Sequence, residues 1–281
     1  MRLVAAVMCL LVLAAAGFAA EITVAADPPL PVPNLVANPG IEAGANGQPA
    51  NWNFSTATPD NFLTAWQDGG RAGKCLWMKA KTGVMSGYWG QSVAVSPAQS
   101  VLFRGYYRLG AGKMLIYAHS SIALPDGRRV AVDERFFRGT MRGHWLVPVF
   151  LPPDALGGPD PNTWFPFRLE VKVPQPMTAV ALSLGLYFQA GEVWFDDMWA
   201  GLARTDLTIG AKAAAGETLS RVVVKAAGTD KPVFDSGALK PGAMEFSTVL
   251  KQQPTDGVYE VAVTRGDGQV TVRRYPGGEV R

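Results

Sequence analysis

The sequence predicts an all-β chain: a β-jelly-roll sandwich followed by a small immunoglobulin-like β-sandwich. Three observations predict it. Gly (31) and Pro (21) are plentiful in the 281 residues and separate short runs rich in β-branched and aromatic residues. Within those runs apolar and polar residues alternate with period two, and no helix-period pattern lasts beyond two turns. Between Asn34 and Arg204 such runs are numerous enough, eight or more over ~170 residues, to need two full sheets.

The elements follow in order. MRLVAAVMCLLVLAAAGFAA opens with Arg2, continues with an apolar core from Leu3 to Leu13 and ends in small residues, Gly17 and Ala19. This pattern predicts a signal peptide over residues 1–19 and a secreted, periplasmic or cell-surface protein, since the apolar run is too short for a span. Cys9 leaves with that segment, so Cys75 is the one cysteine of the mature chain and is expected as a small buried hydrophobe. Residues 20–33, which include EITVAADPPLPVP, are expected as a Pro-rich linker. A jelly roll is expected over 34–204, through VMSGYWGQSVAVS, VLFRGYYRLG, KMLIYAHSSIALP, RRVAVDERFF, HWLVPVFLP, WFPFRLEVKVP, AVALSLGLYFQ and VWFDDMWAGLA. PDGRR (125–129) reads as a turn and LPPDALGGPDPNTW (151–164) as a breaker-rich loop. From Thr205 to 281, five shorter runs with GDG as a hairpin turn predict the immunoglobulin-like unit.

Charge narrows the partners. The net charge is +3 and charged residues make up 17%; no Lys/Arg run suggests nucleic acid or an anionic membrane, and no transmembrane tail is evident.

The stretch GEVWFDDMWA (191–200) places two acids within a strand. Strict alternation puts Asp197 with Val193, Phe195 and Trp199, and Asp196 with Trp194 and Met198. At least one carboxylate then faces apolar surroundings and needs a partner. Calcium is one candidate, since it accepts carboxylates and backbone carbonyls together. A second acid, Glu42, follows an NPG turn where the domain begins, and DGGRAGKCLWM (68–78) offers turn carbonyls. If the first and last strands lie side by side, Glu42 and Asp196 meet. The alternative is an acid pair salt-bridged by Arg71.

NPGIEAG with PANW, RAGKCLWM, SGYWGQSVAVSPAQSVLFRGYYRLG, GHWLVPVFLPP and GEVWFDDMWAGL, in that order over 34–203, resemble carbohydrate-binding modules of families four, nine and twenty-two. The resemblance implies a jelly roll of the galactose-binding type that holds one structural calcium and binds polysaccharide or oligosaccharide. It implies calcium ligands at Glu42 and Asp196 through side chains, and at Gly40, Arg71 and Lys74 through carbonyls. Asp196 is preferred to Asp197 because it shares parity with Met198, normally apolar and inward in this motif.

A saccharide needs flat aromatic faces and polar groups at the ring edge. Parity sorts the candidates. Val101, Phe103, Tyr107 and Leu109 share the core face of their strand, leaving Arg104, Tyr106 and Arg108 opposite. Ile116 and Ala118 face inward, leaving Tyr117, His119 and Ser121. Val180, Leu182, Leu184, Leu186 and Phe188 form an apolar face, leaving Ser183, Tyr187 and Gln189. If those strands share one sheet, Arg104, Tyr106, Arg108, Tyr117, His119, Tyr187 and Gln189 form one carbohydrate platform.

Catalysis finds no constellation. Asp133 and Glu134 diverge as strand neighbours, as do Asp196 and Asp197, whereas a glycosidase needs two facing carboxylates. His119 and His144 lack metal-ligand spacing. The expected function is secreted, non-catalytic glycan binding. A glycoside hydrolase with unpaired acids, or a structural module joining envelope components, remain the rivals, with envelope or hydrolase proteins as further partners.

Overall fold

A computed structural model describes residues 20–276 apart from 97–98, 121, 124–128, 131–139, 142–143, 152–159 and 174–177, and describes no side chains at 117, 119–120, 122–123, 129–130, 140–141 and 144–151. The expected signal peptide, the PDGRR turn and the Asp133–Glu134 pair therefore lie outside the described residues, Arg129 apart, which is described by backbone only.

The chain divides into two compact units, one of residues 31–205 with 254–256, the other of the preceding residues with 206–253 and 257 onward. The first described strand, β1 (Glu21–Asp27), belongs to the smaller unit. In the larger unit come β2 (Asn53–Thr56), β3 (Phe62–Asp68), β4 (Lys74–Ala80), β5 (Gly87–Ala94), β6 (Ser100–Ala111), β7 (Met114–Ser120), β8 (His144–Leu151), β9 (Asp160–Lys172), β10 (Ala179–Leu186) and β11 (Gly191–Leu202).

These strands form two antiparallel sheets. The six-stranded sheet runs from a short strand at Thr140–Met141 through β8, β7, β10 and β5 to β2; the five-stranded sheet runs β9, β6, β11, β4, β3. Successive strands pass back and forth between the two, as in a jelly roll. Apolar side chains of both sheets meet in one core that includes Leu76, Met78, Trp89, Phe103, Tyr107, Leu184, Leu186 and Phe195. Period-two alternation places them there: in β6, Val101, Phe103, Tyr107 and Leu109 are buried while Arg104 is exposed.

The two ends of this unit lie together. Leu35 N–H donates to the Ala200 carbonyl at 2.7 Å and Met198 N–H to the Pro39 carbonyl at 2.8 Å. Asn34 fixes the pairing with its amide, donating to the Met198 carbonyl (3.1 Å) and accepting from Ala200 N–H (2.9 Å).

The smaller unit consists of β12 (Arg204–Lys212), β13 (Leu219–Ala226), β14 (Pro232–Asp235), β15 (Glu245–Pro254), β16 (Tyr259–Arg265) and β17 (Val270–Tyr275), together with β1. It has a three-stranded sheet, β1-β12-β15, and a four-stranded sheet, β14-β13-β16-β17. The expected spacer is corrected here. EITVAAD pairs residue by residue with β12, from Glu21 opposite Lys212 to Asp27 opposite Asp206. Its Ile22 is buried in the core of this unit beside Leu207, Ile209 and Val261, and the Pro-rich character begins only after it. A second correction concerns the 151–164 loop: Asp160 already begins β9, because a long strand tolerates its prolines where the ladder is shifted between Asp160 and Phe165. Among the described residues no helix is long and apolar enough to cross a membrane.

Candidate functional site: an acid-lined clamp and a cleft on the six-stranded sheet

The clamp is built from three segments. The turn Asn38–Glu42 carries two non-glycine residues in the left-handed region, Asn38 (φ 50°) and Ile41 (φ 62°). Asn tolerates this conformation through local hydrogen bonds, and Asn38 accepts from Ala43 N–H at 3.0 Å. A β-branched residue does not tolerate it well, at a cost of about 1–3 kcal/mol. Complete burial of Ile41 and a 2.6 Å hydrogen bond from Trp66 Nε1 to its carbonyl hold it there. The consequence is that Glu42 is aimed at the 68–74 loop, where its carboxylate accepts from Lys74 N–H (3.1 and 3.2 Å).

The third segment is β11. Its ladder to β6 shifts between Asp196, opposite Tyr106, and Trp199, opposite Arg104, with Asp197 at φ 53°. This bulge corrects the strict alternation read from sequence. Phe195 and Asp196 are both buried, Asp197 is half-buried, and beyond the bulge Met198 and Ala200 are the inward residues while Trp199 turns outward. Trp199 thus lies outward with Trp194, and Met198 inward with Phe195.

The two acids have different surroundings. Asp197 Oδ2 pairs with Arg71 Nη1 at 2.5 Å, and that guanidinium lies 3.5 Å from the centre of the Tyr106 ring. Asp196 is 0% exposed and accepts only backbone N–H groups, from Arg71 (2.6 Å) and Asp197 (2.7 Å). Burial pushes its carboxyl up to about 6, against the pull of those two hydrogen bonds and with the negative charges of Asp197 and Glu42 adding to it. Of the two alternatives the sequence left open, the salt bridge forms at Asp197, with Arg71; among the described residues Asp196 is in no ion pair.

These oxygens fit a hard cation. A Cβ on Gly70 would stand 2.5 Å from the Lys74 carbonyl oxygen and 2.6 Å from Asp196 Oδ2, and a Cβ on Gly73 (φ 90°) would meet both oxygens of Glu42. Glycine at both positions leaves that space to the oxygens, and carboxylates and carbonyls together are the donors calcium takes. Among the described residues no three Asp, Glu, His or Cys side chains converge, so carbonyls would have to complete the shell. Of the expected ligands, Glu42, Lys74 and Asp196 are brought together. Arg71 meets Asp196 through its N–H, and Gly40 lies against Glu42, its Cβ position 3.8 Å from Glu42 Cγ. Next to the clamp Cys75 is fully buried, and burial pushes its thiol up to about 12, the inert state of a structural cysteine.

The single carbohydrate platform is corrected. Arg104, Tyr106 and Arg108 stand on β6 of the five-stranded sheet, whereas Tyr117 and His119 belong to β7, and Tyr187 and Gln189 follow β10, of the six-stranded sheet. Parity assigns a residue to one face of its own strand and is silent on which sheet that strand joins. Phe188 also leaves the apolar face: at φ 46° it ends the alternation and is 44% exposed.

What the six-stranded sheet presents outward is a cleft of about 320 Å³ lined by Asn53, Ser55, Tyr88, Gly90, Gln91, Ser92, Ala181 and Ser183. The register explains it. Asn53 and Ser55 of β2 lie opposite Gly90 and Tyr88 of β5, which lie opposite Ser183 and Gly185 of β10. Ser183 and Ala181 in turn pair with Tyr117 and His119 of β7. The middle of the sheet is floored by small residues and its margin by Tyr88, Asn53 and Ser55. A Cβ on Gly185 would strike the Gly87 carbonyl and come 2.5 Å from Tyr88 Cδ1, so glycine at 185 lets the Tyr88 ring lie against the floor. Gly185→Ala is expected to cost about 1–3 kcal/mol through overpacking and to displace Tyr88, readable in a thermal melt and in near-ultraviolet circular dichroism. Tyr187 continues the Ser183–Gly185 row; its N–H donates to the Lys113 carbonyl (3.0 Å) and its ring meets Phe188 edge-on at 5.0 Å. Sequence reasoning missed Tyr88. The signal was present, since in SGYWGQS an inward Trp89 makes Tyr88 outward.

No family model matches this chain, and no curated protein matches it. Among solved structures it is similar to tailspike protein 4 of bacteriophage CBA120 (13% identity, TM-score 0.43), over 60% of this chain but 21% of that one. It is similar to the module TmCBM61, solved with β-1,4-galactotriose (12%, TM-score 0.39, 60% of this chain and 99% of that one). It is also similar to the CBM22-1 xylan-binding domain of Paenibacillus barcinonensis Xyn10C (11%, TM-score 0.38, 58% and 90%).

Proposed function

We propose that the larger unit binds a neutral glycan in the cleft of the six-stranded sheet and is stiffened by one structural calcium at the Glu42–Asp196 clamp. The observation that carries the reading is the cleft itself: a small-residue floor of Gly90, Ala181 and Ser183 beside the Tyr88 ring and the polar side chains of Asn53, Ser55 and Ser92. A pyranose presents an apolar face, which stacks on an aromatic ring, and an equatorial rim of hydroxyls, which needs amides and hydroxyls at the margin. Tyr117 and His119 are in register with Ser183 and Ala181, so β7 continues the sheet beside the cleft, across the strands. Tyr187 and Gln189 lie toward its end. The calcium in this reading has no catalytic part. It offsets the buried charge of Asp196 and ties the start of the unit to its last strand. The glycan contacts are non-covalent, and the protein acts by holding the polymer, as expected of a secreted module.

Electrophoresis of the full chain in gels containing β-1,4-galactan, xylan, mixed-linkage β-glucan or no polymer tests the proposal. Retardation is expected in at least one polymer gel, and Tyr88→Ala is expected to weaken that binding tenfold or more, about 1.4 kcal/mol. Equal mobility in every gel, or retardation unchanged in Tyr88→Ala, refutes the cleft. Release of reducing sugar by the purified chain would instead support a hydrolase.

A further inference from the structure

The outward face of the five-stranded sheet is built differently from the cleft. Register places Arg108 of β6 opposite Trp194 of β11, and Trp194 opposite Trp77 of β4. The Arg108 guanidinium lies 4.4 Å from the Trp194 ring centre and 5.0 Å from that of Trp164 on β9. A row of Trp164, Arg108, Trp194 and Trp77 therefore crosses four strands, about 14 Å at the usual strand spacing. On the same face of β6, Arg104 lies 4.5 Å from the Trp199 ring centre, about 13 Å along the strand from Arg108.

The charges on this face are unevenly matched. Glu192 is engaged by Trp77 Nε1 (2.9 Å) and Lys79; Glu170 by Arg204 (2.7 Å); Asp256 by Arg168 (3.0 Å). Among the described residues neither Arg104 nor Arg108 is in an ion pair. Arg108 Nε and Trp194 Nε1 are moreover buried donors with no hydrogen-bond partner, a costly state for any polar atom. The Arg108 guanidinium, with an indole from each neighbouring strand packed against it, is a planar, forked set of N–H donors whose natural complement is a planar anion, above all a carboxylate. Beside the fork, the indoles offer the apolar surfaces on which a sugar ring stacks.

We propose that this face is a second saccharide site, distinct from the cleft, and that it takes acidic glycans: polymers of uronic acids whose carboxylates seat on Arg108 and Arg104 while their rings lie on Trp194, Trp164 and Trp199. It stands on observations separate from those behind the neutral-glycan cleft. One module then carries two faces of different chemistry and can hold two polymers of a mixed wall or matrix at once.

Oligogalacturonate titrated into the full chain, followed by tryptophan fluorescence and calorimetry, is the test, with the fully methyl-esterified oligomer as the probe lacking charge. Saturable binding of the acid form with a change in tryptophan emission is expected, weakening several-fold on raising salt, with the ester bound at least tenfold more weakly. Arg108→Lys and Arg104→Lys keep the charge but lose the fork, and each is expected to lower affinity at least fivefold with an unchanged melting temperature. Tyr88→Ala is expected to bind the acid form like the parent. No binding of the acid form, equal binding of the ester, parental affinity in both Lys variants, or loss of binding in Tyr88→Ala overturns the proposal. Acid binding without neutral-glycan retention would leave this site standing and refute the cleft; the reverse would do the opposite.

Discussion

Calcium added to chelated protein is expected to raise its melting temperature by roughly 5–10 °C at a hundredfold excess over the dissociation constant. The arithmetic is that of linkage: about 2.7 kcal/mol at that excess, read at 2–4 °C per kcal/mol for a unit of this size. The physical source is Asp196. Among the described residues it is the one fully buried carboxylate of the larger unit, stabilised as an anion by two backbone N–H groups, with Glu42 and Asp197 adding repulsion. A divalent cation bound there would reverse that balance and tie Glu42, the 70–74 loop and β11 into one cluster. Asp196→Asn keeps the shape and one acceptor but removes the charge, and Glu42→Gln does the same on the other side. Both variants are expected to melt at one temperature with or without calcium. Magnesium, which demands a tighter octahedron and keeps its water, is expected to shift the parent much less. An equal shift with both ions, or none with calcium, contradicts the clamp.

Trp89→Ala is expected to lose about 3–5 kcal/mol, whereas its neighbour Tyr88→Ala loses little stability and most of the binding. The two residues sit side by side on β5 and face opposite ways. Trp89 is buried against Phe54, their rings meeting edge-on at 5.4 Å. Its Nε1 donates to the Trp77 carbonyl at 3.2 Å, which joins the two sheets across the core. Truncation removes a large buried volume and leaves that carbonyl and the Phe54 ring without their partner. Tyr88 stands on the solvent side of the same strand, over Gly185. Denaturant melts of both variants, paired with gel retardation, check the contrast. A Tyr88→Ala variant as unstable as Trp89→Ala would mean that the cleft tyrosine is a packing residue.

The sequence made the side of each strand legible and left the sheet to which it belongs hidden. In VLFRGYYRLG the alternation sorts core from surface from Phe103 to Leu109, because one pleated strand has only two faces, while Leu102 on the other parity is buried as well. Whether Arg108 and Tyr117 are neighbours depends on crossovers between sheets, which are set by packing far from either residue. The approach of Glu42 to β11 could be anticipated from the order of a tight turn, a glycine loop and a double acid. The bulge could not. A left-handed Asp197 shifts every later side chain by one, and nothing in GEVWFDDMWA distinguishes that from a regular strand. Residues 21–27 were obscured for another reason. Their burial does alternate, with Ile22 buried between exposed Glu21 and Thr23, but the run is short and prolines follow at once, so it is the pairing with β12 that shows them to be a strand.

The most direct test of the central claim, that the six-stranded sheet holds a neutral saccharide, is an amide-resolved NMR titration of the full chain with the oligosaccharide whose polymer retards it. The account predicts shift changes grouped at Asn53, Ser55, Tyr88, Gly90, Ala181 and Ser183, together with residues of β7. Changes confined to the outer face of the five-stranded sheet, or to the smaller unit, would contradict it.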